Sequence, residues 1–165
     1  MKNVQCLKTK QFLKENAAIY CFDIDGVLAP YEYGENNHNV CLEADWKDYL
    51  SKNDIYAHAR PVKTLREFIR TKDVDRIFVI TKAASDSEFE KKSTFVIINY
   101  QIKRQNIIRV NSAEEKLSKM NELWSNKFKN IPMSSVAMVD DTVDTLNYIQ
   151  ENSNFATMHV SSFLV

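Results

Sequence analysis

The sequence predicts an α/β protein with a mostly parallel central sheet, and three observations support this. Five short apolar segments recur along the chain, and runs of this length suit strands that are buried on both faces of a parallel sheet. Longer segments with apolar residues at helical spacing lie between them. The chain has 165 residues, of which 44% are hydrophobic and 27% charged, as in a globular domain with its own core. We therefore expect a single domain over residues 1–165, with right-handed crossovers.

The predicted strands are runs of four or five residues, rich in β-branched side chains. In chain order they span residues 18–22, 76–80, 107–110, 136–139 and 156–160. Apolar stripes over residues 62–69, 89–102, 117–128 and 142–151 predict four helices, of which the third opens at Ser112, before its stripe. Pro61 is expected at the first position of the first helix, and Ser112 and Glu115 have the spacing of a capping box before the third. Ile98 and Val143 belong to the stripes that we expect to face the core.

The connection over about residues 29–60 is far longer than the usual loop of two to six residues between a strand and a helix. We expect it to form a flap over the sheet edge, with a hairpin near Gly34 and a short helix around residues 45–52. It is too small for a separate cap domain. Its aromatic residues are expected to pack on the domain, and the alternative is stacking on a nucleic base; they are Tyr31, Tyr33, Trp46, Tyr49 and Tyr56.

The overall charge gives no reason to expect binding to nucleic acid or to an anionic membrane. The 22 Lys and Arg residues balance the 22 Asp and Glu residues, so the summed field is weak. We find no apolar run of the length that a membrane span needs and no pattern of a secretory signal at the start. The three cysteines lack metal-ligand spacing, which favours reduced thiols and a cytoplasmic setting.

Two of the predicted strands end in pairs of aspartates. Asp23 and Asp25 follow the first strand, and the alternation of side chains along a strand directs both towards one region. Gly26 comes next, one of only two glycines, and is expected to occupy a backbone position that a side chain would forbid. Asp140 and Asp141 follow the fourth strand. Ligands of open α/β sheets bind beyond the carboxyl ends of the strands, so these four carboxylates are predicted to share one site.

Such a cluster of carboxylates needs compensation. Two like charges about 5 Å apart repel by roughly 3 kcal/mol at an effective dielectric near 20, which is large against a net stability of about 5–15 kcal/mol. Either some of these groups bind protons or a cation lies among them. Carboxylate oxygens suit Mg²⁺, and the sequence offers no His and Cys cluster for zinc. We therefore predict a magnesium site; helix capping remains an alternative for Asp141, Thr142 and Asp144.

Two further residues suit a phosphate group. Thr81 ends the second strand, where its hydroxyl and the next backbone N–H could donate to a phosphate oxygen. Lys116 lies in the first turn of the third helix, where the helix dipole disfavours a cation, so a compensating partner is expected nearby. The alternatives are an ordinary strand-end threonine and a solvated lysine, with Lys82 and Lys119 as less favoured substitutes.

Taken in order, these residues resemble the motifs of the haloacid dehalogenase superfamily of phosphohydrolases over about residues 19–160. The motifs are Asp23-x-Asp25-Gly26-x-Leu28, then Thr81, Lys116 and Asp140-Asp141. The resemblance implies a three-layer, Rossmann-like domain in which the flap is a minimal cap. It also implies that Asp23 is a nucleophile that forms an aspartyl-phosphate and that Asp25 is the general acid and then the general base. Thr81 and Lys116 would hold the transferred phosphoryl group.

The resemblance further implies that Mg²⁺ is bound by Asp23, the main-chain carbonyl of Asp25 and one acid of the last motif. We expect Asp141 to be that ligand, with Asp140 bonded to Lys116 or to a water on the metal. The second aspartate favours a phosphatase, because members that cleave carbon–halogen bonds lack it and ion-pumping ATPases carry threonine there. One departure is the sequence Thr81-Lys82-Ala83-Ala84, in which alanine and lysine stand where many relatives have glycine after the hydroxyl residue.

The expected function is that of a Mg²⁺-dependent phosphatase acting on a phosphorylated small molecule or nucleotide. Within enzymes, the alternative is a nucleotidase or a nucleic-acid 3′-end phosphatase, against which the neutral net charge weighs. A low-turnover, phosphate-binding regulatory module is the alternative from another class. The oligomeric state stays open.

Overall fold

A computed structural model describes residues 11–15, 17–30, 48, 52 and 54–164. At its centre lies one sheet of five strands: β1 (Ile19–Phe22), β2 (Ile77–Lys82), β3 (Ile107–Val110), β4 (Val136–Asp140) and β5 (Ala156–His159). The order is β3-β2-β1-β4-β5, and all neighbouring strands run parallel. The predicted α/β class is therefore confirmed, with the first strand in the middle of the sheet.

In the continuously described stretch 54–164, the helices between and after the strands are α1 (Ile55–His58), α2 (Lys63–Arg70), α3 (Asp86–Tyr100), α4 (Ala113–Leu123) and α5 (Val143–Asn152). Residues 11–14 are also helical. A π-helical turn, Trp124–Phe128, continues α4, and short 3₁₀ turns precede β2, β3 and β4. Within the described residues, no helix combines the length and the apolar character needed to cross a membrane.

The helices cover both faces of the sheet, which gives the domain three layers. Alternate side chains of β1 point to opposite faces, and all four are fully buried. Tyr20 and Phe22 belong to a cluster with apolar residues of α2 and α3, whereas Ile19 and Cys21 belong to a cluster with residues of α4 and α5. This burial on both faces explains why the strand segments are apolar throughout.

Some of the local predictions agree with the structure and others were wrong. Ser112 caps α4, its hydroxyl accepting from the Glu115 amide at 3.2 Å, as the capping-box spacing predicts. Pro61 precedes the N-cap of α2 rather than starting the helix. Ile98 is 71% exposed, because the buried face of α3 runs through polar residues. Val143 is 57% exposed as the first residue of α5, whose later turns provide the buried residues.

The predicted flap lies mostly outside the described residues, including the expected hairpin near Gly34. Within the expected helix at 45–52, Asp48 and Lys52 are helical and form an ion pair with a distance of 2.7 Å. The last part of the connection returns to the domain as α1, which places Tyr56 in the core cluster.

Candidate active site

The first pair of aspartates follows β1 directly. The Asp23 amide donates to the Val139 carbonyl at 2.9 Å, so this residue continues the pairing with β4. The chain then leaves the strand direction in a turn in which Gly26 has φ of 70°. A side chain would clash with the backbone in this left-handed conformation, and the special role predicted for Gly26 is confirmed.

Three of the four aspartates meet at the carboxyl edge of the sheet. Asp23, Asp140 and Asp141 each offer a carboxylate oxygen, and these three oxygens lie within 4.8 Å of one another. Asp140 is completely buried at the end of β4, and Asp141 is half-buried. The side chain of Asp25 is not part of this set of three.

Lys116 has the compensating partners that its place in the first turn of α4 requires. Its ammonium group donates to Asp140 Oδ2 at 2.7 Å and lies 3.1 Å from Asp23 Oδ1. Asp140 Oδ1 accepts from the Thr142 amide at 2.9 Å. Burial opposes the charged form of Lys116, but Asp23 and Asp140 outweigh this effect and raise the pKa of the ammonium group. Lys116 is therefore held as a cation beside Asp23.

One oxygen of Asp23 is left without a hydrogen bond. Asp23 Oδ1 is buried and accepts none from the described residues, so the 3.1 Å approach of Lys116 is an ion pair only. Burial raises the pKa of Asp23 to about 6; Lys116 opposes the rise, and Asp140 and Asp25 add to it. Burial, followed by the charge of Asp140, also raises the pKa of Asp141.

These residues fit a divalent cation. Among the described residues of the site, five carboxylates lie near only two ammonium groups, so negative charge is in excess. The carboxylates are those of Asp23, Asp25, Glu88, Asp140 and Asp141, and the ammonium groups are those of Lys92 and Lys116. A buried carboxylate oxygen without a partner, among three hard oxygen donors, suits Mg²⁺. The same cation would favour the ionised form of Asp23, whose pKa burial raises.

Thr81 lies at the same sheet edge. Val79 of β2 pairs with Phe22 of β1, so Thr81, two residues further along, is level with the chain just beyond β1. Thr81 is completely buried, and among the described residues its hydroxyl makes one long contact, of 3.4 Å, with the Lys82 carbonyl. The Thr81 hydroxyl can therefore donate a shorter hydrogen bond to another acceptor.

Asp25 lies in a second group of residues, which the sequence analysis missed. Its Oδ1 accepts from the Tyr56 hydroxyl at 2.6 Å, and its Oδ2 lies 2.7 Å from Lys92 Nζ. Lys92 also pairs with Glu88 at 2.7 Å. One sequence signal could have found this pair: Glu88, Lys92 and the buried Phe95 are spaced as neighbours on one face of α3.

Burial and the neighbouring carboxylates together set the protonation of Tyr56 and Lys92 in this second group. It raises the pKa of Tyr56, and the charge of Asp25 raises it further, so the phenol remains a donor. Burial disfavours the charge on Lys92, but Asp25 and Glu88 outweigh it and raise the pKa of the ammonium group. Tyr56 donates to Asp25 and packs in the core cluster, as expected of the flap aromatics. The other flap aromatics lie outside the described residues.

No protein-family model and no curated protein sequence matches this chain. Among solved structures, it is similar to DsGPDH of Dunaliella salina, with a TM-score of 0.56 and 14% identity over 93% of this chain. The match covers 25% of the Dunaliella chain, so this chain spans about a quarter of that protein. The likeness concerns the five-stranded parallel sheet with helices on both of its faces. This chain has the haloacid dehalogenase-like fold.

A second solved structure with a haloacid dehalogenase (HAD) domain is also similar. It is that of the effector protein Lem4 from Legionella pneumophila, with a TM-score of 0.45, 11% identity and coverage of 86% of this chain and 84% of that one. At such identities a likeness concerns the fold, and the activity of this HAD-like domain has to be argued from its own side chains.

Proposed function

We propose that this HAD-like chain is a Mg²⁺-dependent phosphomonoesterase that works through an aspartyl-phosphate on Asp23. One observation carries the proposal: Asp23 has a buried oxygen that accepts no hydrogen bond from the described residues, close to two further carboxylates and to the ammonium group of Lys116. A carboxylate oxygen that no hydrogen bond occupies, beside a cation, is suited to act as a nucleophile. The substrate would be a phosphorylated small molecule or a nucleotide.

In the first step, an oxygen of Asp23 attacks phosphorus. The new bond joins Asp23 to the phosphoryl group, and the bond from phosphorus to the ester oxygen breaks. Asp25 has to bind a proton before this step and supplies it to that leaving oxygen, so that an alcohol departs rather than an alkoxide. Asp25 lies two residues after Asp23, and the two carboxylates are close enough for their charges to interact.

In the second step, water hydrolyses the aspartyl-phosphate. Asp25, now ionised, takes a proton from the attacking water, whose oxygen bonds to phosphorus. The bond between phosphorus and Asp23 breaks, which releases inorganic phosphate and restores both carboxyl groups to their initial states.

The remaining residues hold the phosphoryl group and balance its charge. Lys116 would contact a phosphoryl oxygen while keeping its bond to Asp140, and the Thr81 hydroxyl would donate to another. Mg²⁺, when bound, would neutralise charge between the carboxylates and the phosphoryl oxygens. Asp23 and Asp141 are the side chains that would hold it, since Asp140 has both oxygens in hydrogen bonds to the protein.

The test is hydrolysis of p-nitrophenyl phosphate with and without Mg²⁺. We expect turnover that disappears with a chelator, with Asp23→Asn and with Asp141→Asn. The matched control is Asp144→Asn in the first turn of α5, an exposed aspartate that should leave turnover unchanged. Turnover that survives Asp23→Asn would exclude this residue as the nucleophile. Absence of turnover in the wild-type protein with Mg²⁺ would overturn the proposed function.

A further inference from the structure

Lys92 occupies an unusual position for a lysine in the middle of a helix. It is 1% exposed, and its ammonium group reaches three acceptors on different segments. It lies 2.7 Å from Asp25 Oδ2 and 2.7 Å from Glu88 Oε1, and it donates to the Lys82 main-chain carbonyl. An ammonium group has three donors, so all of its hydrogen-bonding capacity is used.

The partners of Lys92 are themselves fixed by other groups. The second oxygen of Asp25 accepts from Tyr56 at 2.6 Å. The second oxygen of Glu88 accepts from the Ala84 amide at 2.8 Å. Lys92 and Glu88 therefore hold residues 82 and 84 of the loop that follows Thr81, and Lys92 holds the carboxylate of Asp25.

This loop is the one in which the sequence departs from the resembled family. Residues 82–84 lack the glycine that many relatives carry there, and the structure supports their backbone with side chains instead. Besides Lys92 and Glu88, Arg109 donates from Nε to the Ala83 carbonyl at 2.8 Å. The segment between the phosphate-facing Thr81 and α3 is thus held at three successive residues.

Stability alone gives little reason for such an arrangement. Taking an ammonium group and two carboxylates out of water is unfavourable, and buried ion pairs are often no better than apolar residues of the same volume. What the arrangement does provide is a fixed distance between the carboxylate of Asp25 and the loop after Thr81. Two parts of the site that come from different strands are joined through one nitrogen atom.

We propose that Lys92 is a positioning residue that holds the Asp25 carboxylate in register with the phosphate-facing loop at residues 82–84. This inference rests on the proposed phosphatase function. Lys92 acts through Asp25 on the proton given to the leaving oxygen, and through Glu88 and the Lys82 carbonyl on the loop beside the phosphoryl group.

The test compares two esters that differ in their need for a proton donor. An alkyl phosphate such as glycerol 2-phosphate needs protonation of its leaving oxygen, whereas p-nitrophenolate leaves without it. We expect Lys92→Met to lower kcat/KM about 100-fold for the alkyl ester and less than about 10-fold for the aryl ester. The matched control is Lys91→Met, at the adjacent and more exposed lysine, which should leave both values unchanged. Equal losses for the two esters, or none, would overturn the inference.

A double variant and a measurement without turnover complete the design. In an Asp25→Asn background, Lys92→Met should lower the alkyl kcat/KM less than about 3-fold, because the residue acts through Asp25. If Lys92→Met does not fold, Glu88→Gln is the second variant. We expect it, too, to lower kcat/KM more for the alkyl ester than for the aryl ester. Amide hydrogen exchange at Ala84 should accelerate in either variant and not in Lys91→Met; unchanged exchange would overturn the inference. If the wild-type protein hydrolyses neither ester, the proposed function fails, and the exchange data still decide whether Lys92 holds the loop.

Discussion

Two buried lysines each bridge two carboxylates in this protein, and their surroundings differ. The Lys116 cluster consists of Lys116, Asp23 and Asp140, and in the described part of the chain no group donates a hydrogen bond to Asp23 Oδ1.

The Lys92 cluster consists of Lys92, Asp25, Glu88 and Tyr56, and each carboxylate oxygen in it has a partner within 2.8 Å. Both clusters pair an ammonium group with carboxylates. In the Lys116 cluster one carboxylate oxygen remains available to a ligand, whereas in the Lys92 cluster every carboxylate oxygen already has a partner in the protein. From this difference we expect the first cluster to bind a ligand and the second one to position Asp25.

The largest expected effect comes from Lys116→Met. If Lys116 contacts the transferred phosphoryl group, its loss should lower kcat/KM about 1,000-fold for the alkyl and the aryl ester alike. This uniform loss contrasts with the leaving-group dependence expected of Lys92→Met. Lys119→Met, one turn further along α4 and paired with Glu122, is the control. A Lys116 variant that discriminates between the two esters would remove the distinction between the clusters.

The second prediction concerns the stability of the metal-free protein. Burial raises the pKa of Asp23 from 3.8 to about 6, so the folded state binds this proton more tightly than the unfolded state. The contribution is present below about pH 4 and is lost as the pH rises to about 6. Asp23→Asn should remove this pH dependence and stabilise the protein by up to about 3 kcal/mol at pH 7.5.

Thermal unfolding in a chelator between pH 4 and pH 8 measures this effect. The control is Asp144→Asn, which should unfold with the same pH profile as the wild-type protein. If Asp23→Asn unfolds below the wild-type temperature at pH 7.5, the ionised carboxylate is not a source of instability, and the Lys116 cluster would be as well satisfied as the Lys92 cluster.

The third prediction is that Mg²⁺ stabilises the fold through the Lys116 cluster alone. At a concentration of 100 times its Kd, a ligand adds about 2.7 kcal/mol, which corresponds to roughly 5–10 °C in Tm for a chain of this size. Asp141→Asn should abolish this shift, whereas Glu88→Gln should retain it. The shift should also decline as the pH falls below about 6, because the proton on Asp23 competes with the cation. An equal loss in both variants would contradict the assignment.

The smallest effect is expected from Tyr56→Phe. The substitution removes the hydroxyl that donates to Asp25 Oδ1 and leaves Lys92 in place on the other oxygen. We expect kcat/KM for the alkyl ester to fall about 3- to 10-fold, with a smaller change for the aryl ester. Steady-state kinetics on both esters measure this. Tyr148→Phe on α5, outside the cluster, is the control. An effect as large as that of Lys92→Met would make Tyr56 the principal support of Asp25.

The open cluster could be predicted well from the sequence, and the closed one could not. Asp23, Asp140 and Lys116 follow recognisable strand ends and a helix cap, and the structure brings them together. Glu88 and Lys92 carry charge within a helix, and such residues are expected at the surface unless something pairs with them. The sequence analysis assigned the wrong face of α3 to the core. Glu88 and Lys92 are buried and Ile98 is exposed because a different face of this helix packs on the sheet.

The sequence by itself determined the parallel sheet, the left-handed turn at Gly26 and the meeting of Asp23 with Asp140 and Asp141. These follow from local rules, because strands buried on both faces are apolar throughout and parallel strands present their carboxyl ends at one edge. Only the tertiary structure decided which face of α3 is buried and that Tyr56 returns from the long connection to donate to Asp25. The physical reason is that such contacts join residues far apart in the chain, and their free energy depends on burial and on partners that no local pattern specifies.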